Sequence, residues 1–235
     1  MSKNKLQKFS EMETFQRVFQ PGFDEVYRKE FHLKGKWASE VFGNSYPLVL
    51  ELGCGKGEYT VGQAGIHTDR NYIGIDIKGA RLWRGARTAN EEDLMNVAFL
   101  RTRIEFIESF FSVGEVDEIW ITFPDPQLKR RRNKKRLTGS RFLNSYRTFL
   151  KDNGIIHLKT DNDELFLYTR ALAEYNKLEI LAETSDLYNS SLLNESLSIK
   201  TFYEKQFLSE GSTINYISFR LPSGRQINEI PVRDE

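Results

Sequence analysis

Asp125 is a lone carboxylate held between Pro124 and Pro126 where the apolar run Ile119 to Phe123 ends. Proline fixes its own φ and pushes the residue before it toward extended backbone, so Phe123-Pro124-Asp125-Pro126 presents the acid stiffly. Immediately beyond, every residue from Lys129 to Arg136 except Asn133 is Lys or Arg. Cations at that density repel one another unless water or a polyanion lies beside them. An acid beside an attraction for phosphate suits a site that works on nucleic acid. The bland readings are a turn residue for Asp125 and a solvated loop for the basic run.

A second constellation lies upstream. Gly53, Gly55 and Gly57 alternate with Cys54 and Lys56, directly after the apolar strand Leu48 to Leu52, which carries Glu51. Glycines so spaced let the backbone turn tightly and approach a ligand where a Cβ would obstruct it. Asp76 ends the next apolar strand, at the position where an acid accepts hydrogen bonds from ribose hydroxyls. Together these point to an adenosine-type cofactor. A dinucleotide is disfavoured, because Glu58 stands where the third glycine of its fingerprint would fall. Cys54 is the only cysteine, which rules out an internal disulfide. With no histidine near it in sequence, it reads as a small turn-filling side chain. His32, His67 and His157 are far apart and lack metal-ligand spacing.

These residues need a scaffold, and the apolar pattern supplies one. Strands are expected at Leu48 to Leu52, Tyr72 to Asp76, Val97 to Leu100, Val116 to Thr122 and Gly154 to Thr160. Between them fall helices from about Glu58, Ala80 to Asn90, Ile104 to Phe111, Arg141 to Leu150 and Glu164 to Tyr175. The alternation predicts an α/β fold with a mostly parallel sheet and helices on both faces. After Tyr175 the pattern weakens to Leu178 to Ala182, a polar stretch from Ser185 to Ser198, a helix near Phe202 to Ser209 and a last strand, Thr213 to Arg220. The polar stretch reads as a mobile loop near a site or as plain surface.

A chain of 235 residues, 39% hydrophobic, is long enough for one such domain and too short for two large ones. Residues 46–221 form that domain, 1–45 a basic, aromatic arm, and 222–235 a tail. Whether the arm packs its aromatics on the domain or also touches RNA stays open. Net charge is only +1, so the basic run is a local feature offset by acids elsewhere. With no apolar run of membrane-spanning length, a soluble, cytoplasmic monomer or homodimer without metal is expected.

Glu51-x-Gly53-x-Gly55-x-Gly57 resembles motif I of the Rossmann-like S-adenosylmethionine-dependent methyltransferases. The resemblance implies their class I fold, a seven-stranded, mostly parallel sheet with an antiparallel last strand. More specifically, the chain from Pro47 to Leu221 resembles the tRNA (guanine-N7-)-methyltransferase family. It does so through Phe123-Pro124-Asp125-Pro126, Lys129, the segment Arg131-x-Asn133-Lys134-Lys135-Arg136, His157-Leu158-Lys159-Thr160-Asp161, and Thr201-x-x-Glu204-x-x-Phe207. The family methylates the variable-loop guanosine of tRNA at position 46. Carried over by motif, Glu51, the three glycines, Asp76 and Asp125 bind the cofactor, and Asp125 is also the catalytic acid. Lys129, Asp161, Thr201 and Glu204 contact substrate, and Arg131, Arg132, Asn133, Lys134, Lys135 and Arg136 meet the RNA. One position departs: where the family often places Asp or Asn against the adenine stands Arg103, which either stacks on the base or leaves that contact to a neighbouring amide.

Guanine N7 carries an in-plane lone pair and no proton, so the reaction implied needs alignment and charge stabilisation rather than a strong base. Asp125, helped by Asp161, is expected to accept hydrogen bonds from the guanine's N–H edge. Three other readings remain open: a non-catalytic RNA-binding protein on this fold, a nicotinamide-dependent oxidoreductase, and a methyltransferase acting on an exocyclic amine.

Overall fold

The structure, a computed structural model, describes residues 3–231 and, within them, all side chains except those of Lys3, Asn4 and Arg130. Strand β1 is the pair Val18–Phe19. The next four are the short apolar runs β2 (Leu48–Leu52), β3 (Asn71–Ile75), β4 (Val97–Leu100) and β5 (Val116–Thr122). Their residues are mostly buried on both faces, as central parallel strands must be. With β6 (Leu150–Thr160), β7 (Ile180–Thr184) and β8 (Asn215–Leu221) they form one sheet in the order β1-β4-β3-β2-β5-β6-β8-β7. Pairing is parallel from β1 to β6, and β8 runs antiparallel to both β6 and β7.

The expected seven strands are thus joined by an eighth. β1 pairs Val18 with Phe99 and Phe19 with Leu100 along the free edge of β4. Two residues carry no period, so this strand exists only because β4 offers an edge. A second difference is at β6, which begins at Leu150 rather than Gly154, while the helix before it ends at Tyr146.

Helices cover both faces. They are α1 (Lys3–Glu13), the single turn α2 (Phe23–Val26), α3 (Glu58–Ile66), α4 (Gly79–Glu91), α5 (Ser140–Tyr146), α6 (Asp163–Tyr175), the short α7 (Glu195–Ser198) and α8 (Phe202–Ser209). Side chains alternate across a strand, and two cores result. Leu50, Ile73, Ile119 and Leu158 pack with Phe142 of α5 and Leu165 of α6. Val49, Tyr72, Phe99 and Trp120 pack on the other face with Tyr59 of α3 and Leu82 of α4.

The N-terminal residues are tied to both cores. Trp37 is fully buried, and its indole N–H donates to the Phe110 carbonyl at 2.8 Å. On the other face Met12 of α1 is buried, and Glu11 accepts the Trp83 indole N–H at 2.8 Å. The last residues of the expected tail, 232–235, lie outside the described residues.

Candidate active site

Gly53, Gly55 and Gly57 all adopt left-handed backbone, with φ of +77°, +57° and +70°. At Gly57 the constraint is also steric, since a Cβ there would lie 2.6 Å from the Phe99 ring and 3.1 Å from the Gly85 Cα. The turn is pinned to β3 by the Gly53 and Cys54 N–H groups, which donate to the Ile75 carbonyl at 2.8 and 3.0 Å. One residue on, Asp76 accepts the Gly55 N–H on Oδ2 at 3.0 Å and the Lys78 N–H on Oδ1 at 2.7 Å. Its carboxylate joins two loops, and each oxygen keeps capacity for a further donor.

Glu51 is buried beneath this turn. Its Oε2 accepts the Thr60 N–H at 2.8 Å and the Thr60 hydroxyl, and Oε1 accepts the Thr122 hydroxyl at 2.6 Å. The acid therefore links β2, α3 and β5. Burial raises its carboxyl from an ordinary 4.5 to about 7, against the opposing pull of those hydrogen bonds.

At the end of β5 the structure corrects the expected geometry. Phe123 still donates its N–H to the Lys159 carbonyl at 2.8 Å, but its φ is +47°, not extended. Gln127 is left-handed as well, at +50°. Such backbone in non-glycine residues is strained and persists only where the surroundings enforce it. Here the two strained residues bracket Pro124-Asp125-Pro126. Asp125 is exposed, and its Oδ1 accepts the Gln127 N–H at 3.1 Å. That bond makes Asp125 a turn former and leaves its other oxygen available.

A cleft of about 530 Å³ joins these parts, with Gly53, Asp76, Arg103, Phe123, Asp125 and Lys135 among its walls. It opens at the carboxyl ends of β2 to β5, where the strand order reverses and α/β sheets place their ligands. A Cβ on Gly53 would meet nothing closer than Leu137 Cδ1 at 3.9 Å, so the turn forms an open cradle. With Ile77, Ile104 and Phe142 as apolar walls, the cleft has the size and mixed lining of a small-molecule site. Arg103 lines it with a mostly exposed side chain, its Nε 3.8 Å from Glu105 Oε2.

The basic run folds into a 3-10 turn, Arg130–Lys135, after Lys129. Lys129, Arg131, Arg132, Lys134 and Lys135 are exposed, and Lys135 reaches the cleft. Asn133 contributes its carbonyl, which accepts the Arg136 N–H at 2.9 Å. Arg136 itself points inward. It is 5% exposed, donates to the Pro126 carbonyl at 3.1 Å and to Glu164 at 2.7 Å, and lies 4.4 Å over the Tyr168 ring.

The remaining predicted residues lie outside the cleft. Asp161 follows β6 half-buried, its carboxyl raised by that burial. Thr201 and Glu204 cap α8, and Glu204 is fully buried against Lys159. Sequence reasoning missed Thr60 and Thr122, which hold Glu51, and Leu137 and Phe142, which wall the cleft. Nothing in sequence marks those four. For Thr201-x-x-Glu204 a signal existed, because Thr three residues before Glu at the start of a helix is a capping box.

Among the described residues, no cluster of His, Cys, Asp or Glu is disposed to hold a metal, and no helix is long and apolar enough to cross a membrane. Residues 45–217 match the model of a family described as "Putative methyltransferase". The chain is 17% identical to a structure described as an antibiotic-related methyltransferase, at a TM-score of 0.59 over 82% of this chain and 96% of that one. That likeness supports the fold alone. Relatives named tRNA (guanine-N(7)-)-methyltransferase are far closer. One from Bacteroides thetaiotaomicron is 51% identical over 100% of this chain and 92% of its own. Another, from Christiangramia forsetii, is 54% identical over 94% of this chain and 99% of its own. With identity at that level over more than nine-tenths of each chain, this protein belongs to the tRNA (guanine-N7-)-methyltransferase family.

Proposed function

We propose that the protein transfers the methyl group of S-adenosylmethionine to N7 of a guanine in tRNA, at variable-loop position 46, as a cytoplasmic monomer or homodimer. The observation that carries this reading is the position of Asp125. It shares a cleft with the glycine turn and Asp76 on one side and with Lys135 of the basic turn on the other.

Gly53, Gly55, Gly57 and Asp76 would hold the cofactor, with Arg103 along its adenine side and Asp125 at its reacting end. Glu51 would act from below, fixing the turn through Thr60 and Thr122. Bound there, S-adenosylmethionine supplies an electrophilic methyl group, which guanine N7 can accept without first losing a proton. What the protein must add is alignment and a countercharge. Positive charge grows on the purine during transfer, so a carboxylate beside it stabilises the transition state more than the ground state. Asp125 is rigid enough to serve, held by Pro124, Pro126 and the Gln127 amide.

Arg131, Arg132, Lys134 and Lys135 would hold phosphates, with Asn133 and Arg136 shaping their turn. Lys129 and Asp161, which follow the adjacent strands β5 and β6, are proposed as substrate contacts, and Thr201 and Glu204 act through the helix they cap. Cations of this kind position RNA without choosing the base. The test is methyl transfer from labelled S-adenosylmethionine to unmodified tRNA, followed by reduction and aniline cleavage at N7-methylguanosine. One variable-loop break is expected. Labelled RNA that resists cleavage would move the target atom and overturn the assignment.

A further inference from the structure

Phe207 closes the pattern Thr201-x-x-Glu204-x-x-Phe207, and the helix that carries it is fixed at both ends. At the head of α8 the Thr201 hydroxyl accepts the Glu204 N–H at 3.2 Å, and Glu204 Oε2 accepts the Thr201 N–H at 3.3 Å. Glu204 Oε1 accepts the Tyr188 hydroxyl at 2.6 Å and lies 2.8 Å from Lys159 Nζ. Both ions of that pair are fully buried, so the start of α8 is clamped to β6. At the tail Gly211 turns the chain with φ of +83°, and the Ser212 N–H donates to the Phe207 carbonyl at 3.0 Å.

The Phe207 ring meets Phe123 at 6.0 Å between centroids, tilted by 34°. Phe123 is gripped through its backbone as well, by the N–H it donates to the Lys159 carbonyl at 2.8 Å. Lys159 thus holds Phe123 with its main chain and α8 with its side chain. Between these two grips Phe123 has φ of +47°, which an L residue adopts only under constraint, and it does so directly before a proline, whose ring crowds it further. The strain has a directional consequence. The rings of Pro124 and Pro126 lock their own φ, and Asp125 Oδ1 is tied to the Gln127 N–H. Few torsions are left free, so the backbone of Phe123 sets the direction in which Asp125 leaves the sheet. Phe123 walls the cleft together with Asp125, whereas Phe207 is not among the described residues that line it.

We infer that Phe207 is a positioning residue for methyl transfer: its ring holds Phe123 in left-handed backbone and so aims Asp125 at the purine. This rests on the role proposed above for Asp125. A countercharge acts only where charge develops, and alignment is what this reaction asks of the protein, so a small rotation at Phe123 is enough to lose rate. The capping box and the buried Lys159–Glu204 pair then share one purpose, which is to fix the helix that carries Phe207.

The experiment is steady-state methylation of an unmodified tRNA transcript by the native protein and a set of variants, each checked by thermal melt. Phe207→Ala is expected to lower kcat by about 10- to 100-fold, with the KM for tRNA within about three-fold of native. Two variants at Phe123 separate backbone from ring, and they decide the matter even where Phe207→Ala fails to fold. Phe123→Ala and Phe123→Gly both delete the ring, but only glycine takes positive φ freely. Phe123→Gly should therefore turn over at least about five-fold faster than Phe123→Ala, and adding Phe207→Ala to it should change kcat by less than about two-fold. In an Asp125→Ala background Phe207→Ala should likewise add nothing. Equal rates for Phe123→Gly and Phe123→Ala would overturn the inference, since the ring and not the backbone would then matter. So would a Phe207→Ala loss that multiplies with that of Asp125→Ala, or one confined to the KM for tRNA. Normal turnover by Asp125→Ala removes the preceding reading of that acid, and this one with it; a slow Asp125→Ala protein beside a fully active Phe207→Ala protein removes this one alone.

Discussion

Two carboxylates at this site have opposite surroundings and should fail in opposite ways. Asp125 is exposed on a strained turn, so replacing it removes charge without opening a core. Asp125→Ala is expected to lower kcat by on the order of 10²-fold, with tRNA affinity near native. Normal turnover with intact binding would end its catalytic role. Glu51 is buried and lies under the glycine turn. Its carboxyl is raised from 4.5 to about 7, so between those values the native state keeps a proton that the unfolded chain has lost. Stability must then fall as pH rises through that window and level off above it, by on the order of 3 kcal/mol at most. Glu51→Gln keeps an acceptor for the Thr60 amide and offers a donor to the Thr122 hydroxyl while removing the titration. Thermal melts of the two proteins from pH 5 to 8 should show the variant gaining on the native protein as pH rises. Parallel curves would assign the acid a different charge state.

At the scale of elements, the basic turn separates into exposed cations and one buried cation, a difference that its uniform composition conceals. Arg131, Arg132 and Lys135 are exposed, and substituting any one with Ala should reduce the slope of log affinity for tRNA against log salt by about 1, leaving the melting temperature alone. Arg136 should behave in reverse. It ties Pro126, Glu164 and Tyr168 together, so Arg136→Ala is expected to cost about 1–3 kcal/mol of stability with the salt slope intact. A stable Arg136→Ala protein with a flatter slope would return that residue to the RNA. The distinction is not readable in sequence, because all these cations share one composition and only burial tells them apart. The same limit applies to the glycine turn. Its spacing announced a tight turn, and the strand pattern placed the Asp76 carboxylate at the end of the neighbouring strand, because both follow from local chain geometry. Phe123 defeated the rule for residues before proline, since its strain is imposed by tertiary contacts with β6 and α8.

For the molecule as a whole, the N-terminal region enters both cores, Met12 on one face of the sheet and Trp37 on the other. β1 occupies the edge of β4: the Phe99 N–H donates to the Arg17 carbonyl and the Arg101 N–H to the Phe19 carbonyl, both at 2.8 Å. Helix α1 buries Met12 and lays Phe9 against Gly79 at the head of α4, under the Arg101 guanidinium 4.4 Å away. Since α4 also carries Arg81 to the cleft, the arm braces a wall of the site from outside. Removing residues 1–21 would uncover an unpaired strand edge, which invites pairing with another chain, and would give up at least one fully buried side chain, about 2 kcal/mol. For a chain of this size that corresponds to a fall of about 4–8 °C in melting temperature, with association visible by size exclusion. If instead the truncated protein melts and elutes as before but binds tRNA weakly, the arm is an RNA contact. Those outcomes differ because bracing acts on the free enzyme, whereas an RNA contact is silent until RNA arrives.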